Sequence, residues 1–233
     1  MNEKQILIQA NAATPNSEIP DLISPLSCEI EVGSLVCILG QRINPLNTYM
    51  EMLAGIIQPS AGSLDYCDSL LGNDSDRHCL AVGYIYHDSS LLSILNGIEN
   101  IKAPAMYHHL GTNDEIDREV ELLLAEIDPR ANHKQLPAFM DTFQKRYLLI
   151  IRAIMLKPKV LFIENPFMNL DREQVRILGE YLAKLVNEKN ITVITSNVNL
   201  DFVQRYADQI IYLSEEDIQV FKERDTFIST IQT

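Results

Sequence analysis

Short apolar runs bounded by turn residues alternate along this chain with stretches whose apolar positions recur every three or four residues. Ile6–Gln9, Cys28–Val32, Leu35–Leu39, Ser63–Tyr66 and Val82–Tyr86 are brief, rich in β-branched residues, and predict strands. Met50, Leu53, Ile56 and Ile57 fall at helical spacing and predict a helix over Thr48–Ile57. Thr112-Asn113-Asp114-Glu115 is a capping box that opens a helix running to about Ile127. Asp141 caps a further helix, Thr142–Leu156, which stops at Lys157-Pro158. Val160–Ile163 is apolar throughout, the pattern of a strand buried on both faces. Asp171 opens a long helix to about Lys189, followed by strand Ile191–Thr195, a short helix Asp201–Tyr206, a last strand Gln209–Leu213 and a polar tail. Strands alternating with helices predict an α/β fold with a mainly parallel central sheet. The nearly all-helical stretch up to Leu156 reads as an inserted helical subdomain, about residues 105–156, within a single domain spanning 1–233.

Composition narrows the field. At 233 residues the chain is long enough for a substantial core, and 46% apolar residues is ordinary for a globular protein. A formal net charge of −13 argues against binding to a phosphate backbone, so nucleic acid is not an expected partner. Four cysteines show neither C-x-x-C pairing nor histidine clusters, as expected of reduced structural thiols in a cytosol, and no protein-held metal centre is expected. The N-terminus lacks the apolar core of a signal peptide, and no apolar run approaches the ~20 residues of a membrane helix. Any membrane role is therefore expected to be peripheral.

Four segments carry candidate chemistry. Gly40–Gly55, GQRINPLNTYMEMLAG, follows an apolar strand. Val82–Pro104 reads VGYIYHDSSLLSILNGIENIKAP, Lys157–Asp171 reads KPKVLFIENPFMNLD, and Ile191–Leu213 reads ITVITSNVNLDFVQRYADQIIYL. In order and spacing they resemble the Walker A, Q-loop, Walker B/D-loop and switch regions of ATP-binding cassette (ABC) nucleotide-binding domains. The resemblance covers about Ile6 to Leu213. It implies a P-loop NTPase-like (RecA-like) core with an N-terminal antiparallel β part and the inserted helical subdomain. The stretch ENIKAPAMYHHLG is most similar to export-type cassettes and those handling lipids or lipoproteins.

The frame of the family is kept and its chemistry is not. A working phosphate loop has the form G-x-x-x-x-G-K-[ST]. Counting from Gly40, the second glycine falls on Pro45, the lysine on Leu46 and the magnesium-binding hydroxyl on Asn47. Pro45 has no N–H to offer a phosphate, Leu46 has no charge, and Ile43 stands where the family usually has glycine. Arg42 is the loop's one cation and Thr48 its one hydroxyl. Taking Thr48 as the magnesium ligand would put Asn47 at the lysine position, so a shift of register does not restore the site. The Walker B aspartate is replaced by Glu164 and the catalytic glutamate by Asn165, which cannot take a proton from water. General-base assistance, about 10²–10⁴-fold, is then lost. The Q-loop glutamine falls on His87 and the switch histidine on Asn197; the plainer reading of both is as polar residues ending strands. No aromatic residue precedes Tyr49, so the adenine platform, worth about 1–3 kcal/mol, is missing from its usual segment.

The signature motif, through which a partner cassette meets nucleotide, falls on Met140, Asp141, Thr142, Phe143 and Gln144. Asp141 sets a carboxylate against an anion, and Phe143 puts a ring where glycine lets backbone approach. Asn169, Leu170 and Asp171 keep the D-loop of the family's dimer interface, although a helix cap alone accounts for Asp171. Leu91, Leu92, Ile94 and Leu95 lie where permease subunits dock and read equally as a docking patch or as core.

The resemblance thus implies a degenerate cassette, a pseudo-ATPase with neither ATP nor magnesium expected as cofactor. It would be a structural or regulatory partner of an integral membrane permease, as a homodimer or beside another ABC ATPase domain, cytoplasmic and peripheral on the membrane's inner face. One alternative is a working ATPase that uses Thr48, Glu164 and His87 with ATP and magnesium. The other is a soluble scaffold that keeps only the fold.

Overall fold

The computed structural model describes residues 5–16, 24–40, 43–67, 81–128, 131–196, 198–214 and 217–231. Arg42 and Asn197, discussed above, lie outside the described residues, as do Cys79, one of the four cysteines, and the side chains of Ile43 and Pro45.

Two sheets organise the chain. Strands β1 (Ile6–Pro15), β2 (Leu26–Glu31) and β4 (Pro59–Tyr66) form an antiparallel sheet in the order β2-β1-β4. Strands β3 (Leu35–Gly40), β5 (Val82–Ile85), β6 (Val160–Ile163), β7 (Thr192–Ser196), β8 (Gln209–Leu213) and β9 (Ile218–Phe221) form the second, in the order β5-β6-β7-β3-β8-β9. Its neighbours run parallel except for β9, which pairs antiparallel with β8.

Alternation along β3 shows why these runs are apolar throughout. Leu35, Cys37 and Leu39 enter one core layer, while Val36 and Ile38 enter the other. The first layer lies under helices α2 (Gly97–Tyr107), α3 (Asn113–Ala125), α4 (Thr142–Ile154) and α5 (Arg172–Lys189). The second is shared by the antiparallel sheet and α1 (Ile43–Leu53). A short helix α6 (Leu200–Tyr206) precedes β8, and α7 (Arg224–Ile231) follows β9.

The caps at Thr112, Asp141 and Asp171 form as the sequence predicts, each with both halves of its capping box, and Asn96 supplies another to α2. Each is worth about 0.5–2 kcal/mol. Three readings need correction, and one left open is divided. The first helix begins at Ile43 and not at Thr48, because Pro45 is tolerated inside a first helical turn, where its missing N–H costs nothing. The run of helices begins at Gly97 and not near 105, since Asn96 caps Gly97-Ile98-Glu99 ahead of Pro104. The polar tail contains β9 and α7, anchored by Phe227, which is buried against Tyr212 and Phe221. Leu91 is buried core, whereas Leu92 and Ile94 are exposed, Ile94 at 85%.

Candidate functional site

The carboxyl ends of β3, β6 and β7 meet the start of α1, the place where open parallel sheets bind ligands. Register fixes which side chains face one another there. Ile163 pairs with Thr195, so Glu164 and Ser196 stand side by side, on the face that carries Phe162 and Ile194 against α1.

Glu164 is 1% exposed, and its carboxylate is held entirely by this chain. Oε1 accepts the Tyr84 hydroxyl at 2.7 Å. Oε2 accepts the Asn47 amide at 3.1 Å, the His87 backbone N–H at 2.9 Å and the His87 ring Nδ1 at 2.8 Å. Each carboxylate oxygen offers about two lone-pair positions, so the three donors saturate Oε2, while Oε1 carries the single Tyr84 bond. Three positions singled out in the sequence, Asn47, His87 and Glu164, are thus brought together. Tyr84 was missed, although strand periodicity could have found it. It pairs with Phe162, two residues before Glu164, and stacks on that ring with centroids 5.8 Å apart.

The field of this carboxylate spreads to its neighbours. Burial and then Glu164 raise the Tyr84 hydroxyl well above its usual range. Burial followed by Glu164 also raises the Glu51 carboxyl, and burial followed by Glu51 and Glu164 raises Tyr86. Buried acceptors remain unused nearby: Asn47 Oδ1, Asn165 Oδ1 and Ser196 Oγ have no hydrogen-bond partner. Among the described residues, the buried polar atoms without a partner at this end are two amide oxygens, which only accept, and the Ser196 hydroxyl, whereas a phosphate calls for N–H donors and cations.

Leu46 is 1% exposed and belongs to the core layer between α1 and the sheets. Its Cδ2 would lie 3.1 Å from a Cβ added at Gly40, so the leucine covers the end of β3. Only residues 41 and 42 separate β3 from α1, which leaves little loop between strand and helix. Asn47 and Thr48 are half-buried.

The signature positions form a separate cluster around the N-terminus of α4. Asp141 accepts the Gln144 N–H at 2.7 Å, and Gln144 Oε1 accepts the Asp141 N–H at 3.2 Å and the Gln135 amide at 3.0 Å. Met140 and Phe143 are buried, Phe143 edge-on to Tyr147 at 5.3 Å, and Thr142 is exposed. After β6, Asn165 (φ 45°) and Asn169 (φ 62°) adopt left-handed backbone and carry the chain through tight turns to Asp171. Asn is among the side chains that tolerate this conformation. Asn169 and Asp171 are exposed and Leu170 half-buried. The Asp171 carboxylate accepts the Gln174 N–H at 2.9 Å.

No protein-family model matches the chain. It is 26% identical over 215 residues to the uncharacterized ABC transporter ATP-binding protein MJ0796 of Methanocaldococcus jannaschii, covering 87% of this chain and 89% of that one. It is 26% identical over 196 residues to the lipoprotein-releasing system ATP-binding protein LolD 1 of Rhodopirellula baltica, covering 79% and 82%. The MJ0796 cassette, solved as a dimer bound to ADP and Pi, superposes with a TM-score of 0.76 at 19% identity over 91% of this chain and 98% of that one. The cbiO1 subunit of the Clostridium perfringens cbiONQ transporter does so with a TM-score of 0.83 at 19% identity over 97% and 92%. The fold is accordingly the P-loop type of these cassettes, with its mainly parallel sheet and antiparallel N-terminal sheet. In sequence the chain is similar to the ATP-binding cassettes of ABC transporters, and it shares their fold.

Proposed function

We propose that this chain is a cassette subunit of a membrane transporter that neither grips nor hydrolyses Mg-ATP. It acts as a structural or regulatory partner of a permease on the cytoplasmic face of the membrane, paired with a second copy or with another cassette. Likeness to transporter subunits supports the setting. The observation that carries the rest is the Glu164 carboxylate, buried and bonded within the chain to Tyr84, Asn47 and His87, with Oε2 saturated. A metal-bound water reaching Oε2 would have to displace one of these partners. The residues at the phosphate end do not fit the group either, with Leu46 in the core and Asn47 in place of a hydroxyl. At the other end, Asp141 and Gln144 already satisfy the α4 N-terminus, where a partner's nucleotide would meet a carboxylate.

A soluble ATPase fold tolerates these changes because its frame rests on apolar burial, not on the ligand. Titration calorimetry with Mg-ATP, together with phosphate release from the purified chain, tests the reading. Neither a micromolar heat nor turnover is expected, and either one would overturn it. Copurification with an integral membrane permease tests the setting.

A further inference from the structure

A cavity of about 370 Å³ opens at the amino ends of β3 and β8, the edge of the sheet opposite to Glu164. Ligand pockets span about 300–1,000 Å³, so this one suits a small molecule. Five carboxylates line it, those of Glu29, Glu31, Asp208, Glu223 and Asp225. The two cations in the same wall are committed within the chain. Lys222 pairs with Glu29 at 3.7 Å, and Arg224 Nη1 donates to the carbonyls of Gln204 and Arg205 at 3.2 and 2.6 Å. Among the described residues, no three acidic, histidine or cysteine side chains come together closely enough to hold a metal ion. The negative charge is therefore spread around the wall and not focused on a point.

Carboxylates on an exposed rim are ordinary solvated groups, but Gln209 is of another kind. It begins β8, is 6% exposed and lines the same cavity, yet its Nε2 has no hydrogen-bond partner among the described residues. A buried N–H without an acceptor is destabilising, and an oxygen brought to this wall removes that cost. The wall itself is fixed. Asp208 Oδ2 accepts the Leu35 N–H at 2.9 Å, the Ser34 hydroxyl donates to the Glu31 carbonyl at 2.7 Å, and buried Phe227 anchors α7 beside Asp225.

We propose that this cavity binds a small organic cation, an ammonium or guanidinium compound that also carries a carbonyl oxygen. The positive group sits among the carboxylates, and the oxygen accepts the Gln209 amide. An anion would meet like charges, and a bare metal ion would bring the amide no acceptor. The site lies apart from Glu164 and does not depend on whether Mg-ATP binds there.

Titration calorimetry on the full chain with L-argininamide and agmatine tests this, at low ionic strength and about pH 6, where both probes carry two positive charges. The two differ in the carboxamide, which only the first carries. L-argininamide should bind saturably at about 1 mM or tighter, and about two- to tenfold more tightly than agmatine, the factor of one neutral hydrogen bond. Gln209→Leu removes an unpartnered amide, so it should keep the melting temperature, bring L-argininamide to the affinity of agmatine and leave agmatine unchanged. Asp225→Asn, at an exposed position, should weaken both probes by about two- to fivefold. Should Gln209→Leu fail to fold, the difference between probes on wild type and the loss in Asp225→Asn still decide the matter. No saturable heat from either probe up to about 10 mM would overturn the proposal. So would equal affinities on wild type, which is the mark of charge alone, a preference that survives in Gln209→Leu, or unchanged binding in Asp225→Asn.

Discussion

The crevice at Glu164 and the N-terminus of α4 at Asp141 each hold a carboxylate bonded within the chain, but their partners come from different distances. Asp141 is satisfied by Gln144, three residues away, in a bond that any isolated helix could make. Glu164 is satisfied by residues 77, 80 and 117 positions away, and only the finished sheet brings them together. The first is a local cap on an exposed residue. The second is a tertiary network around a buried carboxylate, whose loss leaves several donors without partners. The two ends therefore differ in what a change would cost: the cap is cheap to alter, and the network at Glu164 is tied to the stability of the fold.

Breaking the buried network should therefore cost most. Glu164→Ala leaves the Tyr84 hydroxyl, the Asn47 amide and the His87 N–H without an acceptor, and should lower unfolding free energy by about 3–5 kcal/mol in urea titration. A loss below about 1 kcal/mol would show that water replaces the carboxylate freely. Leu46→Ala should follow at about 2–5 kcal/mol, since the side chain is buried in the layer under α1. Leu46→Lys should destabilise comparably, because it places an ammonium-bearing chain in an apolar core layer. It should restore no turnover, as Asn165 and Asp141 still lack the chemistry; measurable ATPase activity in that single variant would sharpen the comparison in favour of the crevice being nearly competent.

How much of this was legible follows the same division. The caps at Thr112, Asp141 and Asp171 and the doubly buried strands could be read from residues within four positions of one another. The set Asn47, His87 and Glu164 was found by aligning motifs, but the bond between them was not, because sequence does not state that a glutamate one methylene longer than aspartate turns back onto β5. The early start of α1 escaped because Pro45 was weighed as a missing donor and not as a first-turn residue. Leu91 and Ile94 sit three apart in one apolar cluster, and only the Asn100 amide, which folds the loop, decides which turns inward.

The local route should show a smaller effect. Asp141→Ala removes one cap and should cost about 1 kcal/mol by urea titration, with Asp141→Asn nearly neutral because asparagine caps as well. An Asp141→Ala loss as large as that of Glu164→Ala would remove the distinction drawn between the two ends.

The smallest effect expected is one of pH, and it falls on the α4 side. His133 Nε2 lies 2.9 Å from the Tyr147 hydroxyl, and the backbone carbonyl of His133 accepts the Ile98 N–H, so this residue ties α4 to the start of α2. Burial lowers the His133 pKa below its ordinary 6.5, with Asp128 opposing the shift. A base whose pKa is lowered by folding binds more protons when unfolded, so stability rises with pH through this range. Its contribution is present above 6.5 and is lost as pH falls through the lowered value. Acidification below 6.5 should therefore loosen α4 more in wild type than in His133→Gln, which cannot be protonated there. Amide exchange along α4, followed as pH is lowered, reads the difference directly. Equal loosening in the two proteins would assign the acid sensitivity to the carboxylates and leave His133 as a packing residue between α4 and α2.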